Sequence, residues 1–416
     1  MASGITIIKQ PSTHHPAFND QWFTATSTNI AQPNFQFYVT VTVHYYNGTA
    51  YTTKVSNIPI NTPPDSIMRF NAMSYVKRHV KNYIPISTAG WQRCVNGIVK
   101  VVVNVGERYG TTPTVTSGSN ITYYAWNASL SFSEMATVLN STTYLANTYV
   151  ANNGSTFPIL NDYPDTRQHI YSQGFLYILC NSDNVVSKAR IVSSDGAAIP
   201  VAGTFNITNT LLNSGNWYDR YLCLNISPYI LASLGVSNWV GVPGTTYTVE
   251  LYDNTNTLRK SVNFYYSDVC TKFFRYNQLY LNKKGAYDHM FFEMISEINN
   301  DIDKTKVLHT PYYDPSGTGA MAYQTYQPTE MISSVKSKKS MIVRSDWLTD
   351  AQCETMIDHA NSPSVYLQES QGSATILYSC TIPSGKYKQN KKFNSKLFNL
   401  ETSIDLYTDF RQSGVQ

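Results

Sequence analysis

Residues 35–43 read FQFYVTVTV, an alternation with the period of two that marks a β-strand with one face buried. Phe35, Phe37, Val39, Val41 and Val43 fall on one side of that strand. Asn47-Gly48 follows, a pair that tolerates positive φ, and a second run rich in Tyr, Thr and Val resumes at residues 50–55. Together they predict a hairpin and commit the start of the chain to antiparallel β-structure.

The same reasoning extends the pattern. Residues 98–105 form a nearly continuous apolar run between Gly97 and Gly106, the profile of a buried strand. Further strands are expected at 175–179, 190–192, 221–226 and 247–252. They are separated by Asp195-Gly196 and other Asn-, Gly- or Pro-containing turns, a spacing that suits a second sandwich. Residues 110–164 are irregular and rich in Thr, Ser, Asn, Gly and Tyr. A structureless loop of that length is uncommon in a compact domain, so short elements and pinning contacts are expected inside it.

Two helices are expected. Pro63-Pro64 breaks the first strand pattern, and Asp65 or Ser66 is placed to cap a short helix with Ile67, Phe70, Met73, Val76 and Val80 near one side. The strongest helix signal begins at Thr349, which with Gln352 forms a capping box. Cys353, Met356, Ile357 and Ala360 then share a face before Pro363 ends the pattern. A charged, variable-looking stretch precedes this helix. After it come a strand at 365–367, a turn bearing Lys386, Lys388, Lys391, Lys392 and Lys396, and an alternating strand at 398–406.

These elements predict a mainly β fold with two antiparallel β-sandwich units of immunoglobulin or fibronectin type, at residues 1–110 and 165–270. An irregular connection at 111–164, a candidate oligomer-contact segment, joins them. An α+β C-terminal assembly domain occupies 271–416. Charge supports the last boundary: Asp, Glu, Lys and Arg make up only 14% of the chain, yet 31 of the 58 charged side chains lie in residues 271–416. An ordinary soluble protein carries about 25%, so the deficit belongs to the first 270 residues. Their polarity comes instead from Asn, Thr, Ser and Tyr, 32 of the last in the whole chain.

Catalytic signatures are missing. There is no HExxH, Walker loop, GxSxG elbow or GxGxxG after a strand. His14-His15 beside Asp20 is a poor metal pair because neighbours in extended structure point to opposite faces. Asp288-His289 and Asp358-His359 read as surface or interface groups. The six cysteines are scattered singly, so no zinc framework and no cofactor is expected, and the thiols are expected free. A net charge of +4 predicts no specific nucleic-acid partner, and lysine clusters at 336–339 and 386–396 read as solvated faces. No apolar run approaches 20 residues, so no membrane-spanning helix is expected. The first residues lack a basic n-region and an apolar h-region, the pattern of a chain without a cleaved secretion signal.

Several stretches resemble a known family. They are Pro11-Ser-Thr-His-His-Pro-Ala-Phe-Asn-Asp-Gln-Trp-Phe23, Val105-Gly-Glu-Arg-Tyr-Gly110, Tyr124-Ala-Trp-Asn127, Leu281-Asn-Lys-Lys-Gly-Ala-Tyr-Asp288, Ser362-Pro-Ser-Val-Tyr366 and Asn394-Ser-Lys-Leu-Phe-Asn-Leu-Glu401. In that order they resemble tail and baseplate structural proteins of bacteriophages that infect Bacteroidetes. The resemblance implies a non-enzymatic virion protein of the tail, baseplate or neck, made in the host cytoplasm. It implies multi-copy, ring-like assembly with itself and with other tail or neck proteins, and brings no active site with it. Tyrosine-rich, charge-poor surface suits permanent protein contact, because Tyr offers large area at low entropy cost. Trp126, Tyr163, Phe291, Phe292, Trp347 and Phe398 are the candidate interface residues. The alternative is a receptor-binding adhesin or fibre protein whose exposed aromatic side chains stack on cell-surface glycan.

Overall fold

The computed structural model describes residues 4–82, 84, 90–140, 148–162, 167–168, 172–193, 204–234, 244, 246–267, 275–308, 330–371, 374–383 and 400–412. The fold is mainly β, as the patterning predicts: six sheets arranged as two sandwiches and a C-terminal α+β unit.

The first sandwich faces a three-stranded sheet against a five-stranded one. The smaller runs β1-β3-β6, with β1 (Ile5–Lys9), β3 (Trp22–Ser27) and β6 (Met68–Asn71). The larger runs β2-β9-β8-β4-β5, with β2 (His14–Pro16), β4 (Gln36–Tyr46), β5 (Tyr51–Asn61), β8 (Ile98–Arg108) and β9 (Asn120–Trp126). Phe35, Phe37, Val39, Val41 and Val43 all enter the core between the sheets, against Phe23, Phe70, Val101 and Val103. In the β4–β5 turn the Asn47 side chain accepts from the N–H groups of Thr49 and Ala50, while Gly48 takes φ +105°.

The stretch after Pro64 differs from the helix expected there. Ser66 sits at φ +60° and the Asp65 carboxylate accepts from the Ile67 N–H, a turn that feeds β6 instead. Met68 and Phe70 therefore reach the core at strand spacing. Only Met73–Val76 (α1) is α-helical, running into a 3-10 turn at Lys77–His79. The irregular connection supplies β9, helix α2 (Phe132–Asn140) and β10 (Val150–Ala151), so it is woven into both sandwiches.

The second sandwich faces β10-β12-β15-β7 against β11-β17-β16-β13-β14. The first of these sheets contains β7 (Trp91–Arg93), β12 (Phe175–Cys180) and β15 (Tyr221–Asn225). The other contains β11 (Arg167–Gln168), β13 (Val186–Ser193), β14 (Thr204–Thr208), β16 (Thr246–Asp253) and β17 (Leu258–Tyr266). Every residue of β12 and β15 is buried. A sheet covered on both faces needs continuous rather than alternating apolar strands, which explains FLYILC and YLCLN. One face packs Leu176, Ile178, Leu222 and Leu224 into the sandwich. The other packs Phe175, Tyr177, Leu179 and Tyr221 against Trp126, Leu130, Leu279 and Tyr287 from the flanking units. Helix α3 (Pro228–Ser233) follows β15.

The C-terminal unit holds the sheet β19-β18-β22-β23, from β18 (Tyr276–Leu281), β19 (Tyr287–Phe292), β22 (Val365–Gln371) and β23 (Ala374–Cys380). Helix α4 (Asp350–Ala360) has the expected capping box between Thr349 and Gln352. Its buried stripe is Cys353, Met356 and His359, whereas Ile357 is half exposed. The last sheet runs β20-β21-β24, from β20 (Glu297–Leu308), β21 (Glu330–Arg344) and β24 (Glu401–Gln412). The closing strand thus lies further along the chain than residues 398–406. Among the described residues Cys94, Cys180, Cys223, Cys353 and Cys380 are buried and form no disulfide. Cys270, the Asp195-Gly196 turn and the lysines at 386–396 lie outside the described residues.

Candidate assembly surface

The β20-β21-β24 sheet forms an arm rooted in the C-terminal core and bare beyond it. Met341, Val343 and Ile404 bury its base beside Leu348, Met356 and Phe292. Arg344 ties the three strands together there, with ion pairs to Glu297 (2.9 Å) and Glu401 (2.7 Å). Further out no residue of β20 is buried, and Ile298, Ile302, Val307 and Leu308 are 46–85% exposed. At about 3.4 Å per residue, the 15 residues of β21 span about 50 Å.

Register places opposite charges across the strands. Asp301 faces Lys338 and Asp303 faces Lys336, while Lys338 also pairs with Asp405 at 2.7 Å. Exposed pairs of this kind are worth little each, so they align the strands more than they stabilise them. Among the described residues nothing pairs with the outer edge of β20, and β24 meets only an isolated bridge between Thr381 and Asp405. The arm therefore offers unpaired backbone donors and acceptors, the usual substrate for adding another strand.

The six expected interface residues divide. Trp347 is 61% exposed, on the turn leading into α4. Tyr163 and Phe398 lie outside the described residues. Trp126, Phe291 and Phe292 are interior: each is at most 2% exposed. Trp126 ends β9 and donates from Nε1 to the Lys284 carbonyl at 3.0 Å, which locks the first unit to the β18–β19 turn. Large aromatic side chains mark a core and an interface equally well, so the sequence could not separate the two.

That turn gathers several stretches singled out in the sequence. Gly285 sits at φ +97°, and a Cβ there would lie 2.1 Å from the Asn127 carbonyl oxygen. Leu281 donates to Ser364, and the Tyr287 and Ser364 hydroxyls are 2.8 Å apart. Tyr124-Ala-Trp-Asn127, residues 281–288 and residues 362–366 are thus one intramolecular clasp.

Of the histidine and aspartate pairs, His14, His15, Asp288, His289 and His359 are buried, while Asp358 is half-buried. Asp288 accepts from the Asn282 and Asn161 side chains and the Asp162 N–H, yet burial pushes its carboxyl up to about 6. His359 donates from Nε2 to the Gln278 side-chain oxygen, and burial pulls its pKa down to about 4. Burial also lowers His14 to about 3 and His15 to about 4. His14 stacks on Tyr124, 5.4 Å between ring centres. Among the described residues no group of three or more His, Cys, Asp or Glu is placed to hold a metal.

A cleft of about 1020 Å³ opens beside the clasp. Phe18, Val80, Leu130, Leu281, Ile357 and Pro363 form its apolar wall. The polar part comes from residues 81–82, 127–131, 282–283 and the C-terminal half of α4.

No protein-family model matches the chain, and no curated protein matches it. Among solved structures, the fibronectin(III)-like modules of Clostridium thermocellum CbhA align at 10% identity over 63% of this chain and 93% of theirs, with TM-score 0.15. The complex of Dpr2 Ig1-Ig2 with DIP-Theta Ig1-Ig3 aligns at 7% identity over 99% of this chain and 90% of that one, also with TM-score 0.15.

Proposed function

We propose that this chain is a non-enzymatic structural subunit that assembles in several copies through its β20-β21-β24 arm, in the setting its sequence resemblance implies: the tail, baseplate or neck of a bacteriophage virion. The supporting observation is the arm itself. A three-stranded sheet normally needs a covered apolar face to be stable, and among the described residues Ile298, Ile302 and Leu308 on one face of β20, and Val307 on the other, are largely exposed. Pairing β20 of one copy with β24 of the next would continue the sheet, satisfy the two open edges and set those side chains beside side chains of the neighbouring copy. That contact is heterologous, so it closes into a ring when the rotation permits. The charges on β20 disfavour indiscriminate pairing.

Glycan recognition by stacked tyrosines has less support, because Tyr123, Tyr177, Tyr221, Tyr247 and Tyr266 are buried. Light scattering on the full chain tests the assembly reading. The wild type should be multimeric, and the double variant Ile302→Asp, Val307→Asp should be monomeric with its melting temperature changed little, as expected for exposed positions. A monomeric wild type, or a variant that assembles normally, overturns it.

A further inference from the structure

Asn-Gly occurs three times in the chain, at residues 47–48, 96–97 and 153–154. A main-chain nitrogen that follows an asparagine can attack that residue's own carboxamide, and a glycine there offers the least steric hindrance and the freest backbone. In a folded protein the reaction also needs solvent base to reach the N–H, and stabilisation of the charge that develops on Oδ1. The three sites differ in these respects.

At 96–97 the nitrogen is blocked. Gly97 is buried, its N–H donates to the Cys94 carbonyl at 2.9 Å, and the Tyr221 ring packs against it. Asn47-Gly48 and Asn153-Gly154 are both exposed. Each glycine has positive φ, open space around it and an N–H that donates to no described residue. They part at the carboxamide. The Asn47 Oδ1 accepts from the Thr49 N–H at 3.0 Å and from the Ala50 N–H at 2.9 Å. The ring closed by the first of these bonds contains both reacting atoms, the Asn47 Cγ and the Gly48 nitrogen. The two donors stand as those of an oxyanion hole do, on the oxygen that turns negative when the nitrogen adds. The Asn153 carboxamide has no hydrogen bond to a described residue.

We propose that Asn47 is a self-modification site, converted through a succinimide to aspartate and isoaspartate by the nitrogen of Gly48. Solvent base takes the Gly48 N–H proton and the nitrogen bonds to Cγ. The tetrahedral oxyanion collapses with cleavage of the Cγ–Nδ2 bond, and Nδ2 leaves as ammonia after taking a proton from water. Water then opens the succinimide. Cleavage of its bond to Cγ leaves an aspartate at position 47, and cleavage of its bond to the main-chain carbon leaves an isoaspartate. The net change is carboxamide plus water to carboxylate plus ammonium. The aspartate adds a negative charge at the tip of the β4–β5 hairpin. The isoaspartate lengthens the main chain beside the Asn47 N–H, whose bond to the Ala50 carbonyl (3.0 Å) closes the turn. The site does not depend on the assembly reading and stands or falls separately.

The test incubates the full chain in mildly alkaline buffer made with heavy-oxygen water and follows the three sites by peptide-mapping mass spectrometry. Position 47 should take up label at least about threefold faster than position 153, a modest factor because the donors lie in water rather than in a dry site. Position 96 should stay unchanged. In denaturant, where the turn is gone, positions 47 and 153 should convert alike. Gly48→Ala should slow position 47 and leave position 153 as it was, with methylation of position 47 by an isoaspartyl methyltransferase falling in step. Conversion at 47 no faster than at 153 or 96 in the folded chain, a difference that persists in denaturant, or a rate untouched by Gly48→Ala overturns the proposal.

Discussion

His14, His15 and His359 are held almost wholly out of water, where the charged ring is disfavoured. Each has a folded pKa of about 3 to 4 against an ordinary 6.5. Between those values the unfolded chain binds a proton that the fold does not, so their contribution is present above pH 6.5 and is lost as pH falls towards 4. Asp288 acts in the opposite sense. Its folded value of about 6 lies above the ordinary 3.8, so it favours the fold as pH drops through that window. Among these four groups three protons against one leave a net difference of two, on the order of 3 kcal/mol per pH unit in the middle of the window. His44 and His79 are shifted in the same sense as the three histidines, and Asp358 in that of Asp288. Urea titrations at several pH values should show stability falling steeply from pH 6 to 4.5, about half as steeply in His359→Gln. A flat profile would count against burial of these rings. Their interior placement was not legible in the sequence. His14 and His15 sit in an extended segment, and nothing local reveals that Tyr124 stacks over one of them.

At the scale of elements, legibility follows periodicity. β4 has one wet and one dry face, so its alternation is clean and its register follows. The capping box of α4 is local chemistry, and it too is read directly. The arm escapes because a strand exposed on both faces carries no period, and EINNDIDKTKVL looks like a charged connection. Residues 65–80 mislead for another reason: Ile67, Phe70 and Met73 happen to fall at helical spacing, while Met68 and Phe70, two apart, are the pair that β3 uses. The β18–β19 turn is the element most sensitive to a single change. Gly285 is required twice, by its positive φ and by the approach of the Asn127 carbonyl. Gly285→Ala must shift the clasp, and should cost about 2–4 kcal/mol in chemical denaturation. Gly48 has equally positive φ but nothing within 4 Å of the Cβ position, so Gly48→Ala should cost only about 1 kcal/mol. Equal losses at the two sites would show that the clasp is not a tight contact.

Across the whole molecule, the three units are less separable than composition indicates. The β10-β12-β15-β7 sheet takes β7 from residues 91–93 and β10 from residues 150–151, both outside the 165–270 segment. Its outer face is covered by Trp126 and Leu130 from one side and by Leu279 and Tyr287 from the other. Residues 165–270 alone would leave Phe175, Tyr177, Leu179 and Tyr221 uncovered. At about 1.5–3 kcal/mol for each large apolar side chain, that loss is on the order of 10 kcal/mol, comparable with the 5–15 kcal/mol total stability of a typical domain. The excised segment should therefore be unfolded or molten, with poorly dispersed amide resonances, whereas the full chain should give a well-dispersed spectrum. A well-dispersed spectrum from 165–270 alone would mean that the shared core is dispensable. The expected failure follows from the chain's composition: strands that read as continuous apolar runs belong to a sheet that must be covered on both faces, and no single sandwich can do that.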